Sequence, residues 1–281
     1  MTTPLPAGGL LDGRVAVVTG GGGGIGAATS QLFAAHGATV VIADIDQELA
    51  SKTAAEITAA GGAASVAVTD VREPGQVESL ARTVLGEHGR VDVLVNNVGH
   101  WVRHVGEFAS GDAAFWDDLY RVNLFHVFLV SHAFLPSMTD RRSGAIVNVS
   151  SVEGLRGYPE DPVYAAFKAG VVHFTRSLAV QVGHLGVRVN AIGPDVTESI
   201  QVPYAQWIPE DQRSLWPQWV PVGRMGVAED QARVILFLAS DLSGFVTGHT
   251  IPTDGGTGAA GGWFRSNSRL GREWTNRPIA P

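Results

Sequence analysis

A serine and a tyrosine–lysine pair are the side chains of this sequence best suited to proton transfer. Ser151 ends an apolar segment, Tyr164 lies thirteen residues after it, and Lys168 follows four residues later. A spacing of four places Tyr164 and Lys168 on one face of a helix, one turn apart. A lysine ammonium there favours the phenolate and lowers the pKa of the tyrosine from about 10 towards neutrality. We therefore predict that Tyr164 donates and accepts a proton and that Ser151 orients the reacting oxygen.

A glycine-rich segment near the N-terminus has the composition of a phosphate-binding turn. Residues 19–26 read Thr-Gly-Gly-Gly-Gly-Gly-Ile-Gly, between an apolar strand and an alanine-rich helix. Gly20, Gly24 and Gly26 leave no side chain between the backbone and a pyrophosphate, and the helix directs its N-terminal N–H groups there. The alternative is a tight turn without a ligand. Together with Tyr164, the turn predicts hydride transfer between a dinucleotide and an alcohol or ketone.

Acidic and amide side chains follow the next three strands and define the expected adenosine end. Asp44 ends the second strand, where its carboxylate can bind the ribose hydroxyls and would repel a 2′-phosphate, which favours NAD over NADP. No arginine or lysine occupies 21–24 or 45–48. Asp44 could instead cap the following helix, a task that Asp46 could perform equally well. Asp70 could bind the adenine amine, and the segment at 96–99 would close the same pocket, although both could be ordinary turn residues.

Composition excludes several other classes of function. The chain has 281 residues, a formal charge of −7 and no cysteine, which argues against nucleic-acid binding, disulfides and thiolate chemistry. No apolar run reaches the roughly 18 to 20 residues of a membrane span, and residues 1–13 lack the features of a signal peptide, so we expect a cytoplasmic protein that binds no membrane. The histidines lack paired metal-ligand spacing, so no metal is predicted. A hydrolase is disfavoured because no Gly-x-Ser-x-Gly surrounds Ser151.

Alternating strands and helices predict an α/β fold in which a doubly wound parallel sheet carries helices on both faces. The predicted strands are 15–18, 39–43, 65–68, 91–95, 145–149, 188–192 and 250–252. The predicted helices are 26–35, 47–60, 74–88, 113–139, 162–182 and 228–239. They fill a single dinucleotide-binding domain over 1–281.

Two segments depart from this alternation. Residues 198–226 contain four prolines and several aromatic residues, and we expect this irregular insertion to cover a ligand. The tail at 257–281 carries tryptophans that are unfavourable in water, which predicts docking on a neighbour.

The chain resembles the compact, single-domain short-chain dehydrogenase/reductase enzymes over 11–256. The resemblance rests on the glycine turn, Asp70, Asn96-Asn97-Val98-Gly99, Asn123, Ser150-Ser151, Tyr164-x-x-x-Lys168, Asn190-Ala-Ile-Gly-Pro194 and Asp254-Gly-Gly256. It implies seven strands in the order 3-2-1-4-5-6-7 and a catalytic tetrad of Asn123, Ser151, Tyr164 and Lys168. It also implies a homotetramer, or a homodimer, built through the two long helices.

The resemblance implies further roles around the nicotinamide cofactor. In it, Asn123 holds a water that connects Lys168 to solvent, and Lys168 binds the nicotinamide ribose. The remaining cofactor contacts are expected at Ile25, Val71, Asn97, Gly99, Pro194, Thr197 and Ser199. Asp195 stands where the family usually has glycine, so the backbone there lacks a residue that tolerates positive φ. Taken singly, Ser151 could be only a cap, Tyr164 a core residue and Lys168 a solvated side chain.

The substrate pocket is expected where loops follow the strands. Its predicted lining consists of His100, Trp101, Glu153, Leu155, Tyr158, Trp207 and Trp216. The aromatic and apolar side chains favour a hydrophobic or cyclic alcohol, although the tryptophans could instead pack the loop or a subunit interface. Glu153 is the one charged candidate and would select a polar or cationic group. The sequence thus predicts an NAD-dependent secondary-alcohol dehydrogenase, with a 3-oxoacyl-thioester reductase or a non-catalytic NAD-sensing scaffold as alternatives.

Overall fold

A parallel seven-stranded sheet forms the centre of the computed structural model, which describes residues 9–100, 108–200, 202–213, 215–265 and 274–275. The strands are β1 (Val15–Thr19), β2 (Thr39–Asp44), β3 (Ala63–Val68), β4 (Val93–Asn96), β5 (Gly144–Val149), β6 (Val187–Pro194) and β7 (Thr250–Thr253). Their order is β3-β2-β1-β4-β5-β6-β7 and every neighbouring pair is parallel. This order confirms the doubly wound architecture and reverses direction between β1 and β4.

Helices cover both faces of the sheet. They are α1 (Gly24–Ala35), α2 (Gln47–Ala59), α3 (Pro74–His88), α4 (Ala113–Tyr120), α5 (His126–Asp140), α6 (Pro162–Val182), α7 (Tyr204–Trp207), α8 (Glu210–Arg213), α9 (Trp216–Trp219), α10 (Ala228–Ala239) and α11 (Thr257–Ala260). Successive strand residues point to opposite faces, so Val17 belongs to one hydrophobic core and Val18 to the other. Because both faces are covered, the central strands are apolar throughout rather than alternating.

The long helix predicted at 113–139 is divided in the structure. A π-helical turn at Arg121–Phe125 separates α4 from α5 and contains the buried Asn123. A π-turn inserts an extra residue into the helix and redirects the side chains that follow it, and such turns are frequent at functional sites. Apolar periodicity does not reveal one inserted residue, because the stripe continues on either side.

The insertion at 198–226 is more regular than expected. It contains the three short helices α7, α8 and α9, and its two ends are joined by backbone hydrogen bonds from Glu198 N–H to Gly226 C=O (3.0 Å) and from Gly226 N–H to Val196 C=O (3.0 Å). The C-terminal segment adds α11 and a two-residue antiparallel pairing of Phe264–Arg265 with Trp274–Thr275. Phe264–Arg265 lies beside α9 of the insertion at 198–226.

One helical stretch passes a test for membrane spanning by length and composition. It is Ala113–Asp140, with 28 residues and a mean hydropathy of 1.2 over its most apolar window, 39% of which is buried inside the protein. A core helix of a sheet protein passes the same test, and α5 in this stretch packs against β4 and β5.

Candidate active site

A cavity of about 1270 Å³ opens at the carboxyl ends of the strands. It lies at the edge where the strand order reverses, which is where ligands bind in open α/β sheets. Single-ligand pockets usually occupy roughly 300–1,000 Å³, so this space suits a dinucleotide together with a second molecule. The predicted cofactor residues that line it are Gly20, Gly24, Ile25, Asp44, Asp70, Val71, Asn97, Gly99, Tyr164, Lys168, Pro194, Thr197 and Ser199.

The glycines of the glycine turn allow its backbone conformation and leave space for a ligand. Gly20 has φ +60°, and a Cβ on Gly26 would overlap the carbonyl oxygen of Gly20, so both positions need glycine for the turn itself. Gly24 also has a positive φ, +50°, and a Cβ there would meet only Ser199 Cβ, at 3.8 Å, so this glycine serves the turn and leaves the cavity open. Helix α1 begins after Gly23 with no side-chain cap and no acidic residue in its first turn. Its free N–H groups and positive dipole end therefore fit a pyrophosphate.

The adenosine end carries two carboxylates with different partners. Asp44 accepts hydrogen bonds from Gly22 N–H (2.9 Å) and Asp46 N–H (3.0 Å), which ties the glycine turn to the end of β2. Asp46 caps α2 by accepting from Glu48 and Leu49 N–H, so Asp44 is not the helix cap. Asp70 is bound by Arg72 (2.7 Å), whose hydrogen bonds lower the pKa of the Asp70 carboxyl. Arg72 also lines the cavity, a cation that the sequence analysis did not consider.

Asn97 and Gly99 act on neighbouring parts of the protein as well as lining the cavity. The Asn97 side chain donates to the carbonyl oxygens of Thr19 and Gly20, both at 3.1 Å, and so braces the glycine turn. A Cβ on Gly99 would lie 2.8 Å from Lys168 Nζ. The glycine at position 99 therefore leaves space for the terminal amine of Lys168.

Tyr164, Lys168 and Ser151 meet at the centre of the cavity, as the spacing predicts. The Tyr164 hydroxyl lies beside the Ser151 side chain, and Lys168 Nζ lies 5.7 Å from the centroid of the Tyr164 ring. Lys168 is buried and Nζ donates to the carbonyl oxygen of Val149 at 3.2 Å. Ser151 also accepts from Glu153 N–H (3.1 Å), so it caps the turn Val152–Gly154 while facing Tyr164.

The pKa of Tyr164 is shifted in the direction opposite to the sequence prediction. Burial raises the pKa of Tyr164 above its usual range, the Ser151 side chain opposes the shift, and the carboxylates of Glu153 and Asp161 add to it. Burial lowers the pKa of Lys168 to about 8. Burial is the largest cause of both shifts, because each enclosed group loses the water that would stabilise its charged form.

Asn123 lies behind the wall of the cavity rather than in it. From the π-turn its side chain donates to the carbonyl oxygens of His100 (3.0 Å) and Leu119 (3.1 Å), and it accepts from His100 N–H (3.2 Å). Asn123 thereby holds the strand end that carries Gly99 and His100 against the helix that follows. His100 itself lines the cavity.

The backbone after β6 adopts its positive φ at Val196, one residue after Asp195, where the family usually has glycine. The positive φ is found at Val196 (φ +29°), and Asp195 accepts hydrogen bonds from Val196 N–H (2.9 Å) and from Thr257 Oγ1 (2.6 Å). Thr197 Oγ1 donates to the carbonyl oxygen of Asp195 (2.7 Å) and accepts from the buried Gln231 Nε2 (2.9 Å). Gln231 was missed by sequence reasoning because it lies on α10, remote in the chain from every motif.

Four of the seven predicted substrate residues line the cavity, namely His100, Glu153, Tyr158 and Trp207. Leu155 and Trp216 are not part of this lining. Leu155 lies towards solvent beside Gly193, and Trp216 packs edge-on against Tyr204 with ring centroids 5.9 Å apart. Trp101 lies outside the described residues.

Other side chains complete the substrate end. Tyr204 and Trp219 of the substrate loop line it, and so do Arg156, Glu160 and Asp195. Glu153 is therefore not the one charged residue, and its carboxylate is bound by Arg156 at 2.8 Å. Loop sequences do not show which aromatic rings face inwards, because the short helices that orient them carry too little periodicity. Among the described residues no group of three or more His, Asp or Glu side chains could hold a metal ion.

Comparison with known proteins identifies the family. The family model described as "Enoyl-(Acyl carrier protein) reductase" matches residues 20–258. The 3-oxoacyl-[acyl-carrier-protein] reductase FabG of Thermotoga maritima is 40% identical over 246 residues, which cover 88% of this chain and 98% of that protein. The cis-4-hydroxycyclohexanecarboxylate dehydrogenase of Sinomonas cyclohexanicum is 40% identical over 243 residues, 86% of this chain and 96% of that protein.

A solved structure agrees with these matches. The crystal structure of levodione reductase superposes with a TM-score of 0.82 at 34% identity, covering 89% of this chain and 99% of that one. The chain belongs to the short-chain dehydrogenase/reductase family. It is an oxidoreductase of the kind that acts on CH–OH and keto groups of small molecules, with a nicotinamide cofactor.

Proposed function

We propose that this protein is an NAD-dependent dehydrogenase that interconverts a secondary alcohol and a ketone, with a hydrophobic or cyclic substrate. The observation that carries the proposal is the contact of Tyr164 with Ser151 beside the buried Lys168, inside a cavity that also contains the open glycine turn. Aromatic rings at the substrate end support an apolar molecule.

The residues divide the chemistry between orientation and proton transfer. Ser151 Oγ accepts from Glu153 N–H, and its O–H, which faces Tyr164, would turn to donate to the substrate oxygen. Tyr164 removes the hydroxyl proton during oxidation and returns it during reduction. Lys168, with the Thr197 region and the glycine turn, holds the cofactor. The nicotinamide ring, when bound, accepts or supplies the hydride.

Tyr164→Phe tests the proposal directly. We expect turnover of alcohols to fall by about 10²- to 10⁴-fold, because general acid–base catalysis contributes that much. Binding of NAD, followed by fluorescence titration, should remain. Tyr120→Phe is the matched control, because Tyr120 stacks with Phe125 and Phe167 and does not line the cavity. Full activity of Tyr164→Phe would refute the mechanism, and a wild-type protein that binds NAD but oxidises no alcohol would favour the NAD-sensing scaffold.

The preference for NAD is assigned to the Asp44 carboxylate. Asp44→Asn keeps an acceptor for Gly22 N–H but removes the charge that opposes a 2′-phosphate. We expect the ratio of kcat/KM with NADP to that with NAD to rise by about tenfold. Comparable wild-type rates with the two cofactors would contradict the assignment.

A 3-oxoacyl-thioester reductase is the second candidate, supported by the T. maritima relative. An acidic carrier protein would need basic surface near the cavity mouth. In the substrate loop, Arg224 is paired with Asp230 at 2.6 Å and Arg213 donates to the Ile208 carbonyl oxygen. Reduction of acetoacetyl thioesters, compared with oxidation of cyclic alcohols by the same preparation, separates the two candidates.

A further inference from the structure

Negative charge exceeds positive charge at the substrate end of the cavity. The charged side chains there are Glu153, Arg156, Glu160 and Asp195. Arg156 NH2 lies 2.8 Å from Glu153 and 3.1 Å from Asp195, and these carboxylates raise the pKa of Arg156. One guanidinium therefore faces two carboxylates, and the three side chains together carry a net negative charge. The guanidinium of Arg156 thus forms ion pairs with carboxylates of the protein and does not provide a free positive charge for an anionic substrate.

Glu160 adds a carboxylate without a cationic partner. It accepts a hydrogen bond from the Tyr158 hydroxyl at 3.0 Å, and among the described residues no basic side chain forms an ion pair with it. The Tyr158 ring lies 6.4 Å from the Tyr164 ring, in an edge-on arrangement. Tyr158 therefore contacts both Glu160 and the ring of the candidate proton donor.

The same end of the cavity is lined by electron-rich rings. They belong to Tyr158, Tyr204, Trp207 and Trp219. Aromatic faces attract cations as well as apolar groups, and tryptophan does so most strongly. Rings beside unpaired carboxylate charge form a surface that accepts an organic ammonium and repels a carboxylate or a phosphate.

We propose that the preferred substrate is a secondary alcohol or ketone that carries a protonated amine, held against Glu160 and the surrounding rings. This inference rests on the proposed alcohol dehydrogenase function and names the substrate class of that same site. Burial raises the pKa of Tyr164 most, and the carboxylates of Glu153 and Asp161 raise it further. The positive charge of a bound ammonium would oppose the effect of these carboxylates.

Three cyclic alcohols that differ mainly in charge provide the test. They are 4-aminocyclohexanol, 4-methylcyclohexanol and 4-hydroxycyclohexanecarboxylate, each as the separate cis and trans isomers. At about pH 8 the amine and the carboxylate are both ionised. Oxidation is followed by the absorbance of the reduced nicotinamide, with NAD and with NADP. We expect kcat/KM to be about tenfold higher for the amine than for the methyl compound, and about tenfold higher for the methyl compound than for the carboxylate. Charge pairs near a protein surface provide energies of this size.

Glu160→Gln assigns the preference to one side chain. It should lower the ratio of kcat/KM for the amine to that for the methyl compound by about fivefold. The matched control is Glu229→Gln, an exposed carboxylate in the first turn of α10 that does not line the cavity, and it should leave this ratio unchanged.

Two results would overturn the inference while leaving the proposed function intact. In the first, the hydroxycarboxylate is oxidised with a kcat/KM equal to that of the amino alcohol, which would indicate that Arg156 binds an anionic substrate. In the second, Glu160→Gln leaves the ratio of kcat/KM for the amine to that for the methyl compound unchanged. If none of the three alcohols, nor simple secondary alcohols, is oxidised with either cofactor, the proposed function fails and this inference fails with it.

Discussion

At the scale of single residues, two adjacent serines at the end of β5 have different tasks. Ser150 is buried and donates through Oγ to the carbonyl oxygen of Lys168 at 2.8 Å, which fixes the start of α6 against the sheet. Ser151, the next residue, lies beside the hydroxyl of Tyr164, which is on the same helix as Lys168. The Ser150 hydroxyl is therefore structural, whereas the Ser151 hydroxyl is placed for the chemistry.

The buried Lys168 makes stability depend on pH in a defined window. Its pKa is about 8 in the folded protein, whereas an unfolded lysine has a pKa of about 10.4. Between these values the unfolded chain binds the extra proton, so stability rises with pH. The free energy of unfolding of the wild type, relative to that of Lys168→Met, should rise by about 2 kcal/mol between about pH 8 and pH 10. Urea unfolding at each pH measures this difference.

The sign of the Lys168 prediction is opposite to that of Tyr164. Burial raises the pKa of Tyr164, so the tyrosine affects stability only above about pH 10, where it lowers stability as pH rises. A wild-type advantage that stays constant or declines between about pH 8 and pH 10 would show that Lys168 is not desolvated.

At the scale of elements, close backbone approaches position the site. A Cβ on Gly154 would lie 2.7 Å from the carbonyl carbon of Lys168, so the turn after β5 rests directly on α6. This contact sets the distance between Ser151 and Tyr164. The π-turn before α5 has a similar effect, because it turns Asn123 towards the backbone of His100.

Two glycine substitutions of opposite sign test this view of the turns. Gly26→Ala places a methyl group on the carbonyl oxygen of Gly20, and it should destabilise the protein by about 3 kcal/mol or more. Gly86→Ala, within α3, meets nothing within 4 Å and should stabilise the protein by about 0.5–1 kcal/mol. Urea unfolding measures both. Equal stability of the two variants would mean that the glycine turn is not constrained as the structure shows it.

At the scale of the whole molecule, the exposed faces of the long helices bear on assembly. We propose a homotetramer built through α5 and α6, as the resemblance to the family implies. Val180 on α6 is 85% exposed in the single chain, and the rings of Phe128 and Phe174 pair at 4.8 Å across α5 and α6. Apolar groups left open on long helices are typical of surfaces that other subunits cover.

Val180→Asp tests the assembly. An unpaired charge in an apolar interface should reduce the mass in sedimentation velocity from four times the 29.6 kDa chain to a smaller species. Thr58→Asp, on the exposed side of α2, introduces the same charge elsewhere and should leave the mass unchanged. A wild-type monomer, or a Val180→Asp protein of unchanged mass, would contradict the proposal.

The sequence by itself determined the sheet, most helices and the proximity of the central site residues. Runs such as Val15 to Val18 are apolar because both faces of a parallel sheet are covered, and Tyr164 and Lys168 share a helix face by spacing alone. These features depend on local periodicity, which can be recognised from the order of neighbouring residues in the sequence.

The tertiary structure alone decided what depends on contacts between remote segments. It placed Arg156 between Glu153 and Asp195, oriented Thr197 through Gln231, and turned Trp219 rather than Trp216 into the cavity. It also reversed the expected direction of the pKa shift of Tyr164, because the hydroxyl is buried. Burial and charge pairing are sums over every neighbour in space, and the linear spacing of residues does not contain those sums.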